Sequence, residues 1–401
     1  MPRTFCNVIK PTHICNLACT YCYNDDARDP IMRDGTLLRT IEQTFAYARK
    51  RKFETVEFIW HGGEPMVPGL AWYRKAMAMQ RELADGLHCS NHIQTNGVLI
   101  NADWLDFFRE HSFEISISID GPMKFHDEYR KTHQGKGSFD RVFAKLNMVK
   151  EAGLPVGVCV VLSKATINHV EEILDFFVKN RLAFEVIPVT KSGGARSHYD
   201  LLGLNPVEYG EAWVKMYDAW LALDRDDYVF CQDFLFKTRA VIHGHGAHCF
   251  GMANCSTDNI STDPVGDIFP CSTLSGTDAV KYGNICEDDL DEIMSAQVAK
   301  MFLARPVDPE CSTCKWQHVC HGGCVSRSFK FHEDIGKRDY YCPSLYRIHD
   351  HIEHRLRERG IGAGAPHPFH MTDGIDPASC HSGPSPVNTA EARPRPVTVV
   401  T

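Results

Sequence analysis

No apolar stretch in these 401 residues approaches the roughly 18 that a membrane-spanning helix needs, and the N-terminus, Met1-Pro-Arg-Thr-Phe-Cys6, carries no secretion signal. No basic run suited to a nucleic-acid backbone is present either. The 43 Lys and Arg are outweighed by 51 Asp and Glu, for a formal charge of −8. Among 21 histidines there is no His-Glu-x-x-His string of the zinc-hydrolase kind. These absences leave a soluble, cytoplasmic protein with no membrane and no nucleic-acid partner as the expectation.

Cysteine is what the chain has in excess. Seventeen are present, an odd number that complete disulfide pairing does not accommodate. Secreted disulfide scaffolds are usually short, and in a reducing compartment clustered cysteines more often bind metal or act in catalysis. The chain is 43% hydrophobic, enough for sizeable cores in two or three domains.

Residues 4–190 alternate strand and helix patterns. Strand-like runs cover 4–12, 55–63, 92–97, 113–121, 155–163 and 183–190. Helical periodicity covers 36–51, 140–151 and 168–180 among others. Six βα repeats predict an α/β fold, a parallel sheet closed into a partial (β/α)6 TIM barrel rather than a full eight-stranded one. Sites in such folds gather at the carboxyl ends of strands. Those ends here read Cys15, then His61-Gly62-Gly63-Glu64-Pro65, Thr95-Asn96-Gly97 and Ser118-Ile119-Asp120-Gly121. The domain expectation is a barrel over 1–205, a helical connector over 206–245, a cysteine-rich domain over 246–360 and a disordered tail over 361–401. The connector's Trp213, Met216 and Trp220 read as core. The tail is rich in Pro, Ser and Thr, and its lone Cys380 needs no role.

Cys15, Cys19 and Cys22 stand in the spacing Cys-x3-Cys-x2-Cys. Three thiolates can hold three irons of a [4Fe–4S] cluster and leave the fourth iron open, whereas a cluster that only carries electrons normally has four cysteines. Structural zinc wants four ligands in shorter knuckles. With Tyr21 as the aromatic residue of Cys-x3-Cys-x-aromatic-Cys, and with Gly62-Gly63-Glu64-Pro65 after the second strand, residues 4–190 resemble the radical SAM superfamily. The resemblance implies S-adenosyl-L-methionine (SAM) on the open iron. Gly62, Gly63 and Glu64 would meet its amino group, Tyr21 would lie against adenine, Ser118 would reach the ribose and methionyl region, and Arg130 would meet the carboxylate. An anionic acceptor for an ammonium and a planar fork for a carboxylate are chemically apt. It also implies reductive cleavage of SAM to a 5′-deoxyadenosyl radical that abstracts hydrogen from an unactivated C–H bond. The cofactor supplies that chemistry and the protein the positioning.

Cys311-x2-Cys314-x5-Cys320-x3-Cys324 is followed by Cys342, and Cys255, Gly266 and Cys271 are spaced as Cys-x10-Gly-x4-Cys. Attached to such a barrel, this pattern resembles the SPASM extension. By that resemblance Cys249, Cys255, Cys271 and Cys324 hold a first auxiliary [4Fe–4S] cluster, with Cys249 outside the strict motif. Cys311, Cys314, Cys320 and Cys342 hold a second. The implied cofactors are therefore SAM and three [4Fe–4S] clusters, one binding SAM and two auxiliary.

Relatives of this kind act on sulfatases, ribosomally made peptides or small molecules. The sulfatase-maturing pattern has Asp after the third auxiliary cysteine and Gln before the Gly-Gly-Glu-Pro string; this chain has Ser272 and His61. Trp60-His61-Gly62-Gly63-Glu64-Pro65 resembles peptide maturases that join an aromatic carbon to an aliphatic one. The expectation is a peptide maturase forming a carbon–carbon, cyclophane-type crosslink in a precursor peptide, with flavodoxin or ferredoxin as electron donor. Its candidate bases are His61 and Glu185, structural roles being the alternative for both. The motifs begin almost at the N-terminus, so no leader-binding domain is expected ahead of them. The alternatives are a sulfatase-maturating enzyme that makes formylglycine and, from another class, a zinc-binding cysteine-rich interaction protein. Anaerobic iron and sulfide analysis separates the last from the others. About twelve irons per chain are expected from three four-iron clusters, and a colourless zinc protein would contradict the cluster assignment.

Overall fold

In the computed structural model, residues 3–24, 31–246, 249 and 254–361 are described. Apart from Ile361 the tail lies outside them, Cys380 included. Short apolar runs become six strands: β1 (Thr4–Ile9), β2 (Thr55–Trp60), β3 (His88–Thr95), β4 (Glu114–Ser118), β5 (Val156–Leu162) and β6 (Ala183–Pro188). Each pairs in parallel with the next. Helices return the chain between strands, among them Asp34–Lys50, Leu70–Leu83, Phe139–Glu151 and Val170–Lys179. They bury apolar stripes against the sheet's outer face, where Trp60, Tyr73, Phe107 and Phe184 sit in one core. The expected partial barrel is present. Strand β3 starts at His88, four residues ahead of the expected run, because its backbone pairs with β2 from Thr55 onward although its side chains show no alternation.

The cysteine-rich part does not begin as a separate sheet. Strand β7 (Asn259–Thr262) pairs in parallel with β1, and β8 (Asp267–Phe269) and β9 (Gly283–Asn284) follow antiparallel. One nine-stranded sheet results, in the order β6-β5-β4-β3-β2-β1-β7-β8-β9. The seam is polar and fully matched. Asn7 donates to Thr44 Oγ1 (2.9 Å) and accepts from Thr262 Oγ1 (3.0 Å), and Ser261 Oγ donates to the Val8 carbonyl (2.9 Å). Buried polar groups paired in this way fix register rather than cost stability.

The connector forms two helices, Pro206–Leu221 and Gln232–His243, the first begun by an Asn205–Glu208 capping box. Its Trp213, Met216 and Trp220 are buried in the main core, as the aromatic stripe predicts. Between the two helices, Cys231 bridges in parallel to Phe184 and so covers the open edge of β6. The long helix Cys342–Glu358 packs along the connector, tied by Arg355 to Asp218 (2.8 Å). Among the described residues no helix is long and apolar enough to cross a membrane.

Candidate functional site

The loop after β1 carries Cys15, Cys19 and Cys22, and backbone bonds from three directions hold it. Ala18 N–H donates to the Lys131 carbonyl (2.7 Å), Thr20 N–H to Tyr129 (2.9 Å), and Gly63 and Glu64 N–H to Thr12 (3.0 Å) and Ile14 (2.9 Å). The loop after β2 approaches so closely that only glycine fits. A Cβ on Gly63 would stand 2.2 Å from the His13 carbonyl oxygen, and one on Gly62, whose φ is +129°, 2.6 Å from that of Thr12. The three thiols, Gly62 and Gly63 line one open cleft, together with Tyr21, Ser118 and Arg130.

Glu64 is not on that surface. Its carboxylate is fully buried and accepts from Thr95 Oγ1 (2.7 Å), Met66 N–H (3.1 Å) and Asn96 N–H (2.9 Å). Burial pushes it up to about 7, against the pull of those three donors. In this arrangement it ties the end of β2 to the end of β3. Arg130 does line the cleft, but it is already paired. Its Nε and Nη2 fork onto Asp120 at 2.9 and 3.2 Å. Asp120 also accepts from the Tyr21 hydroxyl and from Val161 N–H (3.0 Å). Burial works against the Arg130 charge, and Asp120, Tyr21 and Cys19 hold it protonated. Sequence reasoning passed over Asp120; the signal was the buried arginine itself, which needs a carboxylate. Ser118 accepts from Gln94 Nε2 at 3.1 Å.

Neither expected base stands ready. His61 lines the cleft, but its Nδ1 accepts from Gly62 N–H (2.7 Å) and the Tyr23 hydroxyl lies 3.2 Å from the ring nitrogens. Burial, with Lys10 and His92 adding to it, pushes the imidazole down to about 3, so at neutral pH it is an uncharged, weak base. Glu185 faces the barrel interior in the row of Ser118 and Cys159. Burial raises its carboxyl well above the usual carboxylate range, which favours the neutral acid.

The opposite wall comes from the cysteine-rich part: Thr273, Cys324, Ser326 and Arg327. Within each expected set of four, thiols lie close enough to influence one another. Cys249 is hydrogen-bonded to Cys255 and feels Cys324 and Cys271. Cys320 feels Cys342 and Cys311, and Cys342 feels Cys311 and Cys314. Arg327 clamps Asp339 (Nη2 to Oδ2, 2.5 Å), and Asp339 accepts Cys324 N–H (2.9 Å), which fixes that thiol at the cleft.

The donor sets fit iron–sulfur clusters. They are all-thiol, three plus four plus four. Burial pushes Cys15 and Cys271 up to about 12, so thiolates there need a cationic partner.

Comparison with known proteins agrees. Residues 9–177 match the family model described as radical SAM superfamily, and 254–315 that of an iron–sulfur cluster-binding domain. The serine-type anaerobic sulfatase-maturating enzyme of Bacteroides thetaiotaomicron is 27% identical over 86% of this chain and 88% of its own. The cysteine-type enzyme of Clostridium novyi is 27% identical over 85% and 98%. Native anSMEcpe with bound AdoMet superposes with a TM-score of 0.78 at 25% identity, covering 88% of this chain and 98% of that one. Streptococcus suis SuiB bound to precursor peptide SuiA shares the fold, with a TM-score of 0.60 at 18% identity over 85% and 76%.

Gly63→Ala tests the geometry. The Cβ meets backbone oxygens that cannot move without shifting the Cys15 loop. Purified G63A, reconstituted anaerobically, is expected to lose most SAM binding by equilibrium dialysis while keeping its auxiliary iron; wild-type SAM affinity would contradict the packing argument.

Proposed function

The chain belongs to the radical SAM superfamily and carries an iron–sulfur SPASM domain, so it is an oxidoreductase acting on a peptide or protein, and we propose that its reaction is a carbon–carbon crosslink within a ribosomally made precursor. Cys15, Cys19 and Cys22 would hold the SAM-binding cluster. The two distal sets of four would hold the auxiliary clusters. Bound there, SAM supplies the oxidant that removes a hydrogen atom from a side-chain carbon. Tyr21, Ser118, Gly62 and Gly63, all on the cleft wall, would seat it, and the Asp120–Arg130 pair braces Tyr21. Cys324, also on that wall, would hold the first auxiliary cluster, which would take an electron from the substrate. Flavodoxin or ferredoxin suits the electron supply, and a cytoplasmic setting suits the thiols.

The observation that carries the crosslinking reading is the neutral wall formed by Tyr23, His61 and Thr273, with Ser272 buried beside it. Tyr23 meets the His61 ring and lies against the Ser272 hydroxyl. No carboxylate lines the cleft among the described residues. Oxidising a serine or cysteine to formylglycine requires a proton to be taken from a weakly acidic hydroxyl or thiol, which calls for a base. A carbon radical that has added to an aromatic ring regains aromaticity by losing an electron and a ring proton, so a neutral wall suffices. The facing surface of Val161, Ile187, Pro188 and Val189 is apolar and suits an aromatic or aliphatic side chain.

A second reading, formylglycine formation, draws on the 27% identity to sulfatase-maturating enzymes over most of both chains. One experiment separates the two. The reconstituted enzyme is given SAM, reductant and either a short precursor peptide encoded beside its gene or a sulfatase peptide carrying the target Cys or Ser. Crosslinking predicts loss of two hydrogens from the precursor, with no backbone fragments between the joined residues in tandem mass spectra. An aldehyde on the sulfatase peptide and an unchanged precursor would establish the second reading instead.

A further inference from the structure

Joining two side-chain carbons removes two hydrogens from the peptide. One leaves as an atom to the SAM-derived oxidant. The other leaves as a proton, and its electron would be taken up by the auxiliary cluster that Cys324 would help to hold. Among the described residues no carboxylate lines the cleft to take that proton, so the route it follows is a separate question about this chain.

The barrel interior beneath the cleft is polar. Residues two apart on a strand share a face, and Gln94, Ser118, Cys159, Val161 and Ile187 line the cleft. The inward positions one step below follow from the register. Gln94, Ser116, Gly157 and Ala183 form one row across β3 to β6, and Ser118, Cys159 and Glu185 form the row above it across β4 to β6. His92 stands below Gln94. Gln94, Ser116, His92 and Glu185 are 5%, 0%, 1% and 1% exposed. Gln94 Oε1, Ser116 Oγ, both ring nitrogens of His92 and both carboxyl oxygens of Glu185 have no hydrogen-bond partner in the protein. Native interiors rarely leave one such atom unmatched; here six lie on the inward faces of β3, β4 and β6. Gly157 has no side chain and Ala183 a single methyl, so the row that holds Gln94 and Ser116 also has room. A polar space lined by two to four partners per site is where buried water resides.

We propose that this shaft holds a file of ordered water that carries the proton from the cleft, past Gln94 and Ser118, through Glu185 to the open edge of the barrel. Glu185 is suited to relay. As a neutral carboxylic acid it accepts a proton on one oxygen while releasing one from the other, which a carboxylate pair or an amide does not do. The groups facing it are Cys159 on β5, and Asp233 and Lys237 on the helix Gln232–His243, with Cys231 and Tyr209 nearby. Asp233 accepts from Trp213 Nε1 (2.5 Å) and pairs with Lys237. This helix starts where the bridge between Phe184 and Cys231 covers the β6 edge, and the Lys237 side chain is 12% exposed, so the file ends near solvent. The proposal depends on the crosslinking reading for the source of the proton, and it holds for any oxidation in this cleft that releases one.

The test has parts that do not share a failure. Crystals of the reconstituted holoenzyme are expected to show water within hydrogen-bond reach of Gln94 Oε1, Ser116 Oγ, His92 and Glu185; a dry interior overturns the proposal. Glu185→Gln keeps volume and polarity but cannot pass a proton. With a peptide that the wild-type enzyme oxidises, E185Q is expected to give several-fold less oxidised peptide per methionine released, and an unchanged ratio overturns the relay. Should E185Q not fold, infrared spectra of the wild-type holoenzyme decide. The carbonyl band of a protonated buried carboxylic acid should shift promptly in D2O, and a band that stays put contradicts contact with water. If E185Q uncouples turnover but the product is formylglycine, the relay stands and the crosslinking reading falls.

Discussion

Two loops approach one another at backbone distance after β1 and β2, and the site depends on that contact. The carbonyl oxygens of His13 and Ile14 occupy the space where a side chain on Gly63 would begin. Because the loops touch there, the three thiols of Cys15, Cys19 and Cys22 are held on one rim with Gly62 and Gly63 beside them. Glu64, buried behind the rim, draws Thr95 and Asn96 in and extends the same constraint to β3. A loop carrying three cysteines would otherwise be free to wander, and an open iron is useful only if its neighbours are fixed.

A second constraint joins the barrel to the cysteine-rich part. Strand β7 continues the barrel sheet at β1, the strand whose following loop carries the first three cysteines. The SPASM part is therefore built onto the barrel rather than tethered to it, and Cys324 reaches the cleft from a fixed direction. The Arg327–Asp339 pair completes this, since Asp339 holds both the guanidinium and Cys324 N–H. Breaking one partner of so buried a pair leaves an uncompensated charge at a cost of about 3–5 kcal/mol, so this corner is stiff.

Much of this was readable in the sequence, and what was not has identifiable causes. Runs such as Val156–Leu162 announce strands by their aliphatic content, and the thiol sets are what the family resemblance of the cysteine spacings implies. Strand β7, Asn-Ile-Ser-Thr, carries one aliphatic residue, and only its pairing with β1 makes it a strand. The direction of Glu64 was hidden because its three donors come from two different loops. The weak basicity of His61 arises from burial and from Lys10 and His92, none of which is adjacent in sequence. Asp120 lay inside a string that drew attention to Ser118, and it is seen as the partner of Arg130 only when both are buried together. The polar barrel interior follows from register, which periodicity within single strands does not give.

The central claim is that SAM sits on the iron left open by Cys15, Cys19 and Cys22, facing Cys324 across the cleft. Electron–nuclear double resonance on the reduced enzyme, with SAM labelled at its amino nitrogen and carboxylate oxygens, tests it directly. The account predicts hyperfine coupling of both labels to a [4Fe–4S] cluster in the wild type, and its loss in Cys15→Ala with the auxiliary cluster signals retained. A reduced cluster showing no coupling to either label, or coupling that survives in Cys15→Ala, would contradict it.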